Sequence, residues 1–321
     1  MQQEKIKEFT ISCIIFSYKR PCQLDAYLRS LLACFSGCNL EVTVLIRHEE
    51  EFEKGYEIVK ECYKHIKFLY VKEKRRFVYS VLPKLTNISN IYRAIKYQYI
   101  RNLKDNFKYD LEEIIAESKG DFIMFGTDDT FFYQRFKIPT EALNIVKQNP
   151  SSRSIWLYVG PNIINKPSNF KPEGWGGYSW NFYDPKNTGP WAYPFSVDGA
   201  IYEKNFILNF MKKYLYNNPS TLEYVICSEI KRKHYITTGS CLTSSVIINF
   251  PLNRVTDTTK NYYIGLSADY INKYFLKGYK LNYIIKRNVD NLILKDGFDI
   301  ILSKDEHIIY LIKDGKISVN L

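Results

Sequence analysis

The chain has 321 residues, 45% of them hydrophobic, which is enough for one large domain or two ordinary ones with a sizeable core. Its 45 Lys and Arg against 34 Asp and Glu leave a formal charge of +11 and a pI near 9.1, favouring an anionic partner: nucleic acid, an acidic membrane face or a phosphorylated substrate. No apolar run approaches the about 18–20 residues of a membrane-spanning helix, the first eight residues lack the apolar core of a secretory signal, and the seven cysteines and four histidines show no metal-ligand spacing. A cytoplasmic chain with reduced thiols is expected.

Thr10–Phe16 is β-branched and apolar, the pattern of a buried strand. It runs into the polar loop Ser17-Tyr18-Lys19-Arg20-Pro21. Leu24, Tyr27, Leu28, Leu31, Leu32 and Phe35 then recur at helical spacing, closed by Gly37. Glu41–Ile46 reads as a second strand, 49–65 as a helix with Phe52, Tyr56, Val59 and Tyr63 on one stripe, and Ile66–Val71 as a third strand. Strand, helix, strand, helix, strand is the signature of a parallel sheet with right-handed crossovers.

Residues 72–84 are basic and irregular, with Lys74, Arg75 and Arg76 as either a solvated face or a contact for phosphate or acidic lipid. Further helices are expected over 111–118, 138–148, 204–215, from 219 to about 233, and over 268–276. Further strands are expected over 155–159 and 241–250. Between 161 and 194 six prolines, four glycines and Trp175, Trp180 and Trp191 mark a long irregular loop, functional rather than disordered because of its aromatics. Two apolar runs around Asp314-Gly315 give a hairpin in a C-terminal extension, 286–321.

The chain is organised around Asp121–Phe131. Phe122–Phe125 is a strand-length apolar run that ends in Gly126-Thr127-Asp128-Asp129. Two adjacent carboxylates at the end of a buried strand need a partner. Mg²⁺ or Mn²⁺, which take oxygen ligands and bridge carboxylates to phosphates, would supply it. The other reading is a polar turn capping the next helix.

Together, Ile14–Pro21, the alternating strands and helices, and the Asp-Asp strand near residue 128 resemble the GT-A fold glycosyltransferases, and among them the inverting, family 2-like enzymes of bacterial surface polysaccharide synthesis. The resemblance covers about residues 8–285. It implies an α/β fold of GT-A (Rossmann-like) type, a mixed, mostly parallel sheet flanked by helices. The nucleotide-sugar half would span about 8–130 and the acceptor half about 131–285. Thr127 stands where that family's first acidic residue usually stands, so the metal would rest on Asp129 helped by Asp128, with Asn253 completing its shell. Arg47-His48-Glu49 also departs from the family's usual loop, and base recognition would differ with it.

Sugar transfer needs a neutralised leaving diphosphate, a base for the acceptor hydroxyl, and both partners held in line. Arg254, after the turn at Pro251, is a candidate to clasp phosphate; Asn253 and Arg254 also read as a surface turn. The resemblance places the base at a helix start, where Glu223 stands; the alternative is a capping box with Ser220 as N-cap. Asp198, in a Ser-x-Asp-Gly segment, is the rival base, or with Gly199 a binder of donor-sugar hydroxyls, or a tight turn. Ser17, Tyr18, Arg20 and Arg47 would hold the nucleotide, and Trp175, Trp180 and Trp191 the acceptor unless they are core residues.

The expected activity is metal-dependent transfer from a nucleotide sugar, UDP-linked, to a glycan or lipid-linked acceptor, with a peripheral contact at the inner membrane face and no nucleic acid. A sugar-phosphate nucleotidyltransferase is the first alternative, disfavoured by the lack of a Gly-rich cradle after the opening strand. A non-catalytic nucleic-acid-binding protein is the second, suggested by charge and aromatics but by no motif.

Overall fold

The computed structural model describes residues 9–72, 88, 91–92, 106–254, 263–293 and 296–318. Lys74, Arg75 and Arg76 lie outside the described residues.

A nine-stranded sheet forms the body. Its order is Lys67–Tyr70, Asn39–Ile46, Thr10–Ser17, Phe122–Thr127, Ala200–Glu203, Arg153–Trp156, Thr238–Cys241, Tyr178–Asn181 and Lys171–Pro172. Seven of these run one way; Ala200–Glu203 and Tyr178–Asn181 run against them. This is the mixed, mostly parallel α/β sheet that the resemblance to GT-A enzymes implies, with two antiparallel strands that the strand and helix pattern alone does not show. The two central strands are covered on both faces: Ile11–Ser17 and Phe122–Gly126 are buried throughout. A continuous apolar run, rather than an alternating one, is what such strands need.

Helix Pro21–Cys34 follows the opening strand, with proline at its first turn where no N–H is lost from the ladder. It packs against helices Glu53–Cys62 and Ala268–Phe275. Helix Phe107–Glu117 packs against Lys204–Met211. The chain leaves Thr10–Ser17 towards one edge, through Asn39–Ile46 and Lys67–Tyr70, and returns on its other side with Phe122–Thr127. The strand order therefore reverses between Thr10–Ser17 and Phe122–Thr127, and a crevice opens at the carboxyl ends of such a pair.

Several boundaries differ from the sequence expectation. The expected strand 241–250 is two short strands, Thr238–Cys241 and Ile247–Asn249, with a bend between them; the second pairs with Thr130–Phe132 outside the main sheet. The C-terminal strands Phe298–Lys304, His307–Lys313 and Lys316–Ile317 pair onto Lys280–Ile285 in one antiparallel sheet. A boundary at 285 would cut that pairing. The hairpin at Asp314-Gly315 is present, both residues at positive φ as a tight two-residue loop requires.

Gly126 is required by packing. A Cβ there would lie 2.1 Å from the Tyr27 Oη, and Tyr27 is wholly buried. Gly126→Ala is expected to destabilise the fold by about 1–3 kcal/mol through overpacking, read by urea unfolding. Adding Tyr27→Phe should recover part of the loss, since the nearest atom is the hydroxyl; a neutral Gly126→Ala would contradict this packing.

Candidate active site

The site is built where the strand order reverses. Asp128 follows the central strand and is buried at 3% exposure. Its Oδ2 accepts from Ser17 Oγ at 2.7 Å and from the Tyr18 amide at 3.1 Å. Its Oδ1 accepts from Arg20 Nη1 at 2.9 Å. The ends of the two neighbouring strands are thus tied through one carboxylate. Arg20 Nη1 also donates to Asp129 Oδ2 at 3.0 Å, Nε to Asn253 Oδ1 at 2.6 Å, and Nη2 to the Asn253 carbonyl at 2.6 Å. Gln23 Nε2 adds a second donor to Asn253 Oδ1 at 3.3 Å. Tyr56 closes the loop from behind: its Oη pairs with Ser17 Oγ at 2.9 Å and accepts from the Arg20 amide at 3.3 Å.

A cavity of about 490 Å³ opens over this knot. Phe16, Leu45, Val71 and Phe107 give it an apolar end. Tyr18 stands at its rim with the Arg47 guanidinium 5.3 Å from the ring centroid and its hydroxyl donating to Glu49 at 3.1 Å. Asp129, Asn253 and Arg254 line another wall, and Asp198 a third.

The acids differ in state. Burial lifts Asp128 to about 6, against the opposing pull of Arg20. Burial also raises Asp198 well above the carboxylate range, and the neighbouring Glu223 and Asp129 charges add to it. Thr127 Oγ1 donates to Asp198 Oδ1 and partly offsets that rise. Glu223 is raised too, chiefly by burial, while the Val197 amide, donating at 3.2 Å, and Ser196 lower it. The Glu223 charge thus makes Asp198 hold a proton more readily than an isolated carboxylate would.

Glu223 is not a capping residue. Asn218 is the N-cap of helix Pro219–Lys233, bonded reciprocally with Thr221. The helix starts two residues earlier than a Ser220 cap would place it, which leaves Glu223 to face Val197.

Several expectations are corrected. Trp180 and Trp191 are core residues, 1% and 2% exposed, edge-to-face at 5.0 Å with the Trp180 indole N–H donating to the Trp191 carbonyl. The area an indole removes from water outweighs any role at the surface here. Trp175 lines a second cavity, with Arg135 and Lys137, and not the one over Asp128. Gly199 has a packing reason to be glycine: its φ is +69°, and a Cβ would lie 2.2 Å from Ile247 Cδ1. Arg20 sits in the cavity wall, but four of its N–H donors are already taken by Asp128, Asp129 and Asn253.

The expected cation shell of Asp128, Asp129 and Asn253 does not fit a metal. Both Asp128 oxygens and the Asn253 oxygen accept from protein donors, and a guanidinium stands among all three residues. No group of three or more His, Cys, Asp or Glu among the described residues is placed to hold an ion. A hard cation needs several free oxygens.

Tyr56, Gln23, Thr127, Phe107, Tyr158 and Asn217 belong to this site or its support, and sequence reasoning did not single them out as such. Tyr56 and Gln23 carry only a helix-stripe signal and no motif. Thr127 was visible as the departure from an acidic first position; its hydroxyl serves Asp198 instead.

Replacing Arg20 by Met would leave Asp128 and Asp129 without the counter-charge that Arg20 supplies, and is expected to cost about 3–5 kcal/mol in denaturant unfolding, as for other broken buried pairs. A loss below about 1 kcal/mol would contradict the arrangement. The raised acids have their own signature. A carboxyl whose folded pKa lies above its unfolded value stabilises below about pH 4, and that contribution is lost as pH rises through the folded value. Asp198→Asn is therefore expected to raise the melting temperature over wild type at pH 7 and not near pH 4. An equal difference at both would contradict a raised Asp198.

Neither a family model nor a curated protein matches this chain. Among solved structures it is similar to TarS 1-349 of S. aureus, at 14% identity and a TM-score of 0.42, over 74% of this chain and 59% of that one. The same fragment in complex with UDP-GlcNAc gives 11% identity and a TM-score of 0.42, over 83% and 65%. The mannosyltransferase PcManGT from Pyrobaculum calidifontis, in complex with GDP-Man and Mn²⁺, gives 11% and 0.39, over 74% and 55%. The chain spans less than two thirds of each of these. Likeness at this level does not decide what the chain does.

Proposed function

We propose that the chain is a glycosyltransferase that moves a sugar from a nucleotide sugar, UDP-linked, to a hydroxyl of a glycan or lipid-linked acceptor, with inversion. One observation carries this reading. A single cavity at the strand-order reversal combines an apolar slot, arginines, and the half-buried Asp198 carboxylate with its raised pKa.

The flat base fits the slot of Phe16, Leu45, Val71 and Phe107, with Tyr18 as a stacking face. Arg254 offers a bidentate donor to the diphosphate. The acceptor hydroxyl attacks the anomeric carbon on the face away from the diphosphate. The new C–O bond forms as the bond to phosphate breaks, UDP carries off the electron pair, and the acceptor proton passes to the Asp198/Glu223 pair. Glu223 is the candidate base by its place near the start of helix Pro219–Lys233, although it is not among the residues lining the cavity; Asp198 lines it, and the Glu223 charge raises the Asp198 pKa. A pair whose pKa values sit above the usual range is better matched to a proton abstracted near neutral pH than an exposed carboxylate.

The formal charge of +11 favours an acidic membrane face as the place where a lipid-linked acceptor is met. No helix among the described residues is long and apolar enough to cross a membrane.

A thermal-shift panel of UDP-glucose, UDP-N-acetylglucosamine and GDP-mannose tests the reading, since a ligand bound only by the folded state raises the melting temperature. At least one UDP-sugar is expected to shift it. Glu223→Gln should keep that shift and slow UDP release by about 10²–10⁴-fold, the usual contribution of a general base. No shift with any nucleotide sugar, or undiminished turnover in both Glu223→Gln and Asp198→Asn, would overturn it.

A further inference from the structure

The Asn253 side chain has its polarity fixed. Arginine has no acceptor atom, so the Asn253 atom that receives Arg20 Nε at 2.6 Å is the oxygen. Gln23 Nε2 approaches the same oxygen. The amide nitrogen must then lie on the other side. Asn253 is 4% exposed and lines the cavity, and its Nδ2 has no hydrogen-bond partner among the described residues. A buried N–H without a partner is rare in a folded chain. Arg254 and Asp129 line the same cavity.

We propose that Asn253 binds the leaving diphosphate as a hydrogen-bond donor, through Nδ2, so that this wall is an anion clamp made of protein donors rather than a cation shell. The proposal rests on the nucleotide-sugar reading above and deepens it. It reverses the role a carboxamide would have as a metal ligand: the oxygen is consumed by Arg20, and the enclosed NH₂ group is the part left without a partner, for a diphosphate oxygen to take up as it binds. Arg20 is a positioning residue here. It orients the amide and, being bonded to Asp128 and Asp129, offsets part of the negative charge that would otherwise repel a diphosphate.

Titration calorimetry of the full chain with UDP and with uridine, each with EDTA or Mn²⁺, separates the outcomes. Uridine reaches the base slot but has no diphosphate. The wild-type chain is expected to bind UDP with EDTA present, at an affinity within about threefold of that with Mn²⁺. Asn253→Asp and Asn253→Leu should each weaken UDP by about tenfold and leave uridine unchanged, the latter showing that the fold is intact. UDP binding that disappears with EDTA and returns with Mn²⁺ would overturn the clamp in favour of a cation. So would UDP affinity unchanged in both variants, or a loss in Asn253→Asp alone, which would report charge repulsion rather than a missing donor. If the wild-type chain bound neither uridine nor UDP, the nucleotide-sugar reading itself would fall, and the clamp with it.

Discussion

A buried guanidinium holds the centre of this protein together. Arg20 enters from the loop after the first strand and reaches the loop after the central strand at Asp128 and Asp129. It also reaches the segment after Ile247–Asn249, at Asn253. Those three segments come from chain positions more than 100 residues apart, and nothing else described joins all three so directly. An arginine can do this because its planar fork carries five donors in fixed directions and stays charged when buried. Each carboxylate it meets would be costly to bury alone. The cavity is lined by residues of all three tied segments.

That constraint decides the chemistry available. Asp128 is consumed in positioning, with both oxygens occupied. Asp198 and Glu223, on the other side, have no arginine or lysine among the groups that shift them, and their pKa values rise. The site thus separates two kinds of acid that look alike in a sequence: one paired with a cation to hold the fold, the others kept short of counter-charge and able to take a proton. Glu223 gains this role because Asn218 and Thr221 cap its helix without it.

How much of this could be read from the residues follows from what each signal encodes. Burial of the two central strands was legible, since Ile11–Phe16 and Phe122–Phe125 are apolar without interruption. The parallel first half of the sheet followed from alternating strand and helix patterns; the antiparallel strands Ala200–Glu203 and Tyr178–Asn181 did not. Asp128, Asp129, Asp198, Tyr18 and Arg254 were legible as residues of one cavity because each ends a strand or stands in a turn beside one. What the residues did not show was polarity and partnership. That Arg20 turns inward to Asp128 depends on a 108-residue separation closing in space. The tryptophans of the long loop look the same in sequence whether they face a ligand or a core; only the packing of Trp180 against Trp191 distinguishes them. Gly199 had the pattern of close ligand approach, and the packing of Ile247 against it is a reason for glycine that no local pattern shows.

The most direct test of the account is a crystal structure of the chain with UDP and Mn²⁺ both present. The account predicts the uracil against Phe16, Leu45 and Phe107, the diphosphate beside Asn253 and Arg254, and Arg20 still bonded to Asp128 and to the Asn253 oxygen. A nucleotide bound elsewhere, or a cation seated on Asp128 and Asn253 with Arg20 displaced, would contradict it.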